Sequence, residues 1–162
     1  MYNLLKKLTA IPSITGRERK LGEYILSEIK DYVDDAYFDT MGNLIAFKKG
    51  SAENAKKLRF AAHMDEIGMI VTHIDNKGYL RISPVGGVNF ASIAYSTVLF
   101  ENGVRGILLP EAKSEANDWK YDKMYIDIGA ASKDEAESVI SLVVLSKVFF
   151  RMKMFLSRLT TG

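Results

Sequence analysis

The residues best placed by type and spacing to do chemistry are His63 and Asp65, in the segment LRFAAHMDEIGMIV at 58–71. A neutral imidazole binds zinc or a similar divalent metal through one ring nitrogen. A carboxylate two residues on can accept the other ring N–H, which fixes the tautomer and raises the basicity of the ligand. The spacing equally describes a hydrogen-bonded histidine at a strand end beside a surface aspartate, so His-x-Asp alone leaves both readings open. The chain has two histidines and no cysteine. Disulfides, thiolate ligands and a cysteine nucleophile are thereby excluded, and any metal site must use histidine and carboxylates.

Other residues carry less. His73 lies on a strand-like run. Ser13 and Ser92 have no histidine near them in sequence, which gives a serine-hydrolase reading no specific support. Gly86-Gly87 has no GxGxxG pattern and no following Gly-Lys-Ser/Thr, so it is not a phosphate loop; it marks a bend where another backbone approaches. Trp119, Tyr121 and Tyr125 stand near Lys113, Lys120 and Lys123, a combination used to stack single-stranded nucleic acid. Glu115, Asp118 and Asp122 alternate with them and argue against it.

The elements that must position His63 follow from periodicity. Leu21, Tyr24, Ile25, Ile29, Tyr32 and Val33 recur at helical spacing and predict an amphipathic helix over 17–33. Thr15 followed by Glu18 fits a capping box at its start, after a turn marked by Pro12 and Gly16. Residues 36–39 and 44–48 read as two strands around the turn signal Gly42-Asn43. Leu58–Ala62 reads as a short buried strand that delivers His63 at its carboxyl end, where ligands bind in open α/β sheets. From Gly68 the pattern changes to short β-like runs: GMIVTHI, YLRISPV, STVLFE, VRGILL and MYIDIG. Asp75-Asn76-Lys77-Gly78 and Asn102-Gly103 are hairpin signals between them. Only Ser132–Val139 reads as helical there, with Ser132 and Glu135 as a capping box. Many short strands with few helices predict a small barrel or sandwich after an α/β beginning.

Bulk properties bound the reading. The 162 residues suit one domain or one and a part, and a formal charge of +2 implies no nucleic acid or acidic partner. Lys6 and Lys7 break the apolar positions of MYNLLKKLTAIPS and no cleavage site follows, so a signal peptide is not expected and the cytoplasm is the default location. The charge is uneven. Residues 1–137 hold 18 of the 22 basic residues against all 20 acidic ones, a formal −2, and the remaining 25 residues carry +4.

HMDEIGMIV followed by YLRISPVGG resembles metallopeptidase family forty-two, the glutamyl and deblocking aminopeptidases often labelled endoglucanases. LTAIPSITGRERKLGEYILSEI resembles the opening helices of that family and its Ser/Thr-Gly-x-Glu-like turn. DTMGNLIAFKKG resembles its Gly-Asn-Leu strand-turn-strand, and FENGVRGILLPEAKSEANDWKYDKMYIDIGAASKDEAE its inserted β domain. The resemblance covers about residues 3–140. It implies the N-terminal part of an α/β aminopeptidase domain at 1–66, followed at 67–141 by an inserted small β-barrel-like domain used for dimerisation. It implies two divalent metals, zinc or cobalt, that activate a bridging water and polarise the scissile carbonyl of a peptide substrate. His63 matches the histidine ligand of one metal and Asp65 the carboxylate that supports it. His73 matches no ligand of the family. The bridging Asp, the Glu-Glu pair, a further Asp and the distal His of the family have no counterparts here, so the expectation is a truncated, oligomeric aminopeptidase that is inactive as it stands.

The tail at 142–162 departs from the resemblance: it is apolar, basic and lacks acidic residues. A change of reading frame near residue 141 would account for this: GAC-GAC-CGG, encoding the Asp-Asp-Arg expected in the family, reads Thr-Thr-Gly when shifted by one base, and the chain ends Thr160-Thr161-Gly162. Val143, Val144, Val148, Phe149 and Phe150 favour a strand over a basic amphipathic helix at a membrane surface, and three charges break any transmembrane span. Two other classes of function stand beside the peptidase: a non-catalytic self-association module, and a basic-tailed membrane-surface protein.

Overall fold

The computed structural model describes residues 2–112, 114–140 and 145–148. The chain divides into two compact units, Met1–Glu66 and Ile67–Gly162.

The first unit opens with helix α1, Tyr2–Ala10, and continues with α2, Arg19–Ile29, and a turn of 3-10 helix at Lys30–Tyr32. The regular helix is shorter at both ends than the apolar periodicity of 17–33 predicts. The expected capping box is absent. The N-cap of α2 is Glu18, which makes no side-chain cap bond to the helix. Its carboxylate instead accepts from the Gly16 amide at 2.8 Å. Leu21 and Gly22 are the buried residues of α2. A Cβ on Gly22 would lie 2.6 Å from the Phe38 ring, so the glycine lets the helix approach that side chain closely.

Phe38 ends strand β1, Asp35–Phe38, which pairs antiparallel with β2, Leu44–Phe47. The turn between them is built by Asp39. Its carboxylate accepts from the Met41 amide, the Asn43 amide and the Asn43 side chain, at 2.8–2.9 Å. Gly42 supplies the positive φ the turn requires.

Residues 58–62, expected as a buried strand, belong to no strand, and Leu58 and Phe60 are exposed. A buried strand requires neighbours on its edges and cover on its faces. Among the described residues of this unit the sheet contains β1 and β2 alone.

In the second unit the strands close a barrel. β3 (Gly68–Ile74), β4 (Leu80–Val85), β5 (Thr97–Phe100), β6 (Arg105–Pro110), β7 (Met124–Asp127) and β8 (Leu145–Val148) lie in the order β3-β4-β7-β6-β5-β8. Each neighbouring pair is antiparallel. Among the described residues, closure leaves the barrel without a free edge. Asp75 and Gly78 make the β3–β4 turn, and Asn102 and Gly103 the β5–β6 turn, each glycine at positive φ. One helical turn, α3 (Phe90–Ile93), is capped by Asn89, whose side chain accepts from the Ser92 amide. Helix α4, Lys133–Val139, is capped by Ser132, whose hydroxyl accepts from the Glu135 amide at 3.2 Å, while the Glu135 carboxylate reaches back to the Ala131 amide.

The core fills this unit. Met69, Val71, Ile74, Leu80, Ile82, Val98, Phe100, Leu108, Met124 and Ile126 point inward, with Phe90, Ile93, Ala136 and Ile140 packed into the same cluster. Removing such side chains from water contributes roughly 1.5–3 kcal/mol each. The register of β3 against β4 shifts between Val71 and His73. Strict alternation would send His73 inward after Met69 and Val71; the bulge turns it outward and puts Ile74 in the core. Of the tail expected at 142–162, Leu145–Val148 is a paired strand, and the remainder of that expectation, with the proposed frame change, lies outside the described residues.

Candidate functional site

His63 sits in an irregular segment that runs to Asp65 and meets the rest of its unit through Glu66. The segment is docked on the loop before α2. The Glu66 amide donates to the Ser13 carbonyl at 2.9 Å, and the Ser13 amide donates to Glu66 Oε1 at 3.1 Å. Ile14 forms a parallel bridge with Glu66, and Ser13 and Ile14 are both buried. This reciprocal pairing gives the segment the fixed backbone that the expected strand at 58–62 does not supply.

On that anchor, His63 Nδ1 lies 3.0 Å from Asp65 Oδ1 and 3.0 Å from the Asp65 carbonyl oxygen. Asp65 Oδ2 accepts the Thr15 hydroxyl at 2.8 Å. The Thr15 hydrogen bond, and with it the one from His63, holds the Asp65 carboxyl below its ordinary value of 3.8, against desolvation acting the other way. Asp65 is therefore ionised at neutral pH, and its oxygens accept only. A carbonyl oxygen likewise only accepts. Two acceptors facing one ring nitrogen require that nitrogen to carry the proton. In neutral His63 the proton is thus on Nδ1, and Nε2 presents a bare lone pair. The side chain is 85% exposed, against 37% for Asp65, so the lone pair is accessible.

The structure thus brings His63 and Asp65 together and adds Thr15, which sequence spacing assigned to a helix cap. Glu66, paired with Ser13, holds the loop. His73 is on the outward side of β3 in the other unit. Among the described residues, no three His, Cys, Asp or Glu side chains gather to hold a metal ion. The donor set at 63–65 fits one metal ligand with its outer support, and not a complete centre.

The sequence profile of the family described as M42 glutamyl aminopeptidase matches residues 42–155. The chain belongs to this family. The M42 match takes in His63 and Asp65 and runs beyond residue 140, past the end of the motif resemblance. A putative aminopeptidase of Acetivibrio thermocellus is 48% identical over 143 residues, 88% of this chain and 42% of its own length. An aminopeptidase from the archaeon Desulfurococcus kamchatkensis superposes with a TM-score of 0.82 at 31% identity, over 90% of this chain and 42% of that one. The TET peptidase of Pyrococcus horikoshii, which can assemble into a tetrahedron or a large octahedral shell, superposes with a TM-score of 0.74 at 35% identity, over 89% of this chain and 45% of that one. The chain therefore spans less than half the length of the M42 relatives it matches.

Proposed function

We propose that residues 1–66 supply one ligand, His63, and its orienting carboxylate, Asp65, to the two-metal centre of an aminopeptidase that removes N-terminal residues from peptides. The observation that carries this is the position of Nδ1 between two acceptors, which leaves Nε2 free to bind a metal. When bound, a pair of zinc or cobalt ions would supply a polarised carbonyl and an activated water. Asp65 stays ionised, holds the proton of His63 on Nδ1, and raises the basicity of Nε2. Catalytic zinc is held by about three protein ligands, and among the described residues no three His, Cys, Asp or Glu side chains gather around His63 or elsewhere. On these grounds the 162 residues by themselves do not turn over peptides.

Residues 67–141, which make up most of the second unit and whose barrel β8 closes, are proposed to be the inserted domain through which copies of the protein associate. The assemblies formed by the Pyrococcus horikoshii relative support that reading. Among the described residues no helix is long and apolar enough to cross a membrane, and no observation favours a membrane-surface role.

The ligand reading is tested by titrating the chain with cobalt and following the ring signals of its two histidines by NMR. His63 is expected to broaden first, and Asp65→Ala to weaken that response by about ten- to a hundred-fold. Broadening of His73 ahead of His63 would refute the assignment. Hydrolysis of aminoacyl-nitroanilides by the unaltered chain with zinc or cobalt, lost in His63→Ala, would overturn the claim of inactivity.

A further inference from the structure

We infer that Thr15 is a positioning residue, acting through Asp65 to aim the metal-facing nitrogen of His63. This rests on the reading of His63 as a ligand and adds a residue 50 positions away that no local pattern connects to it.

A carboxylate bonded to a histidine by one oxygen remains free to turn about its own axis and to release the ring. In this site the second oxygen is fixed. Asp65 Oδ1 faces His63 Nδ1, and Oδ2 takes the Thr15 hydroxyl at 2.8 Å. In that bond the Thr15 hydroxyl is the donor. Thr15 is itself held from both sides. Ser13 and Ile14 before it are locked to Glu66. After it, the Arg17 amide donates to the Ile14 carbonyl at 2.8 Å, and the Gly16 amide to Glu18. The loop before α2 and the segment 63–66 therefore meet in a short ladder, and Thr15 is its rung to the carboxylate. The ordinary alternative, Thr15 as a helix cap, does not apply: the N-cap is Glu18, and the Thr15 hydroxyl is committed to Asp65.

The tautomer of His63 reports this directly and needs no metal. Two-bond proton–nitrogen spectra of the 15N-labelled chain distinguish Nδ1–H from Nε2–H imidazole, and His73, in the other unit, is the internal reference. In the unaltered chain His63 is expected mainly as the Nδ1–H form. Thr15→Val keeps the shape of the side chain and removes the donor. It should lower the Nδ1–H fraction at His63, the Asp65 carbonyl oxygen remaining as the ring's other acceptor, with His73 and the circular dichroism unchanged. Thr15→Ser, which keeps the hydroxyl and folds with the loss of one methyl, should retain the original tautomer. An unchanged His63 tautomer in Thr15→Val overturns the inference, and so does loss of the Nδ1–H form in Thr15→Ser. Cobalt separates this from the ligand reading: if the metal leaves Nε2 of His63 untouched while the tautomer still follows Thr15, the ligand assignment fails and the positioning role stands.

Discussion

Single side chains here do their structural work by collecting hydrogen bonds, and Asp39 shows the consequence for pH. Its carboxyl is held below the ordinary 3.8 first by the Asn43 side chain, then by the Asn43 amide, with the Met41 and Gly42 amides adding to them against desolvation. A folded-state value below the unfolded one stabilises the charged, folded form. The contribution is complete above 3.8 and is lost as pH falls through the lower folded value. The amide signals of Met41 and Asn43 are therefore expected to hold steady from neutral pH down to 3.8 and to move toward random-coil positions only below it. In Asp39→Asn that acid transition should vanish. A turn that stays ordered in strong acid, with Asp39 protonated, would show that these bonds do not hold it. Asp65 is built in a similar way, but its partners were not readable in the same manner. Asp39 and Asn43 are four residues apart inside a turn signal. His63 and Asp65 are legible by spacing, whereas Thr15 lies across a loop contact that only the folded chain creates.

Elements divide along the same line between local and non-local causes. Both hairpins of the barrel were legible, because Asp75 to Gly78 and Asn102-Gly103 carry their turn chemistry within four residues. Helix α4 was legible through Ser132. Two features were not. The bulge between Val71 and His73 inserts a residue into an otherwise alternating run, which no residue in GMIVTHI announces. The run at 58–62 has strand composition and no strand neighbours among the described residues. Gly106 in β6 gives a test of how tightly the barrel strands approach. A Cβ there would lie 2.5 Å from the Ile126 side chain and 2.9 Å from the Asp127 carbonyl oxygen. The carbonyl belongs to the paired strand β7 and cannot move without disturbing the ladder. Gly106→Ala should therefore destabilise the second unit by about 1–3 kcal/mol, even though alanine restricts the unfolded chain more than glycine does. Urea unfolding followed at Trp119 measures it. An unchanged or higher midpoint would mean that the strands have slack at this position.

On the scale of the molecule, buried apolar side chains are distributed unequally. Among the described residues, Ile14 and Leu21 are the buried hydrophobics of the first unit, while fourteen belong to the cluster of the second. The first unit exposes Leu4, Leu5, Tyr32, Tyr37, Met41, Phe47, Leu58 and Phe60. A unit that leaves this much apolar surface in water gains little from folding to set against the entropy of ordering its backbone. The second has a closed barrel and a continuous core, so its strands open only with the loss of most of that core. Native-state hydrogen exchange is therefore expected to be graded by unit. Amides of Val71, Ile82, Leu108 and Ile126 should exchange only through global opening of the barrel, and those of β1 and β2 faster, through local opening. The same order should appear in limited proteolysis, with first cuts among the exposed residues 49–62 and the barrel strands persisting as a resistant fragment. Covering the first unit would slow both processes there and leave the barrel unchanged. If the amides of β1 and β2 proved as protected as those of β3 and β7 in the chain by itself, the exposed aromatic and aliphatic side chains would have to be packed in solution, and the lower stability argued for the first unit would fall.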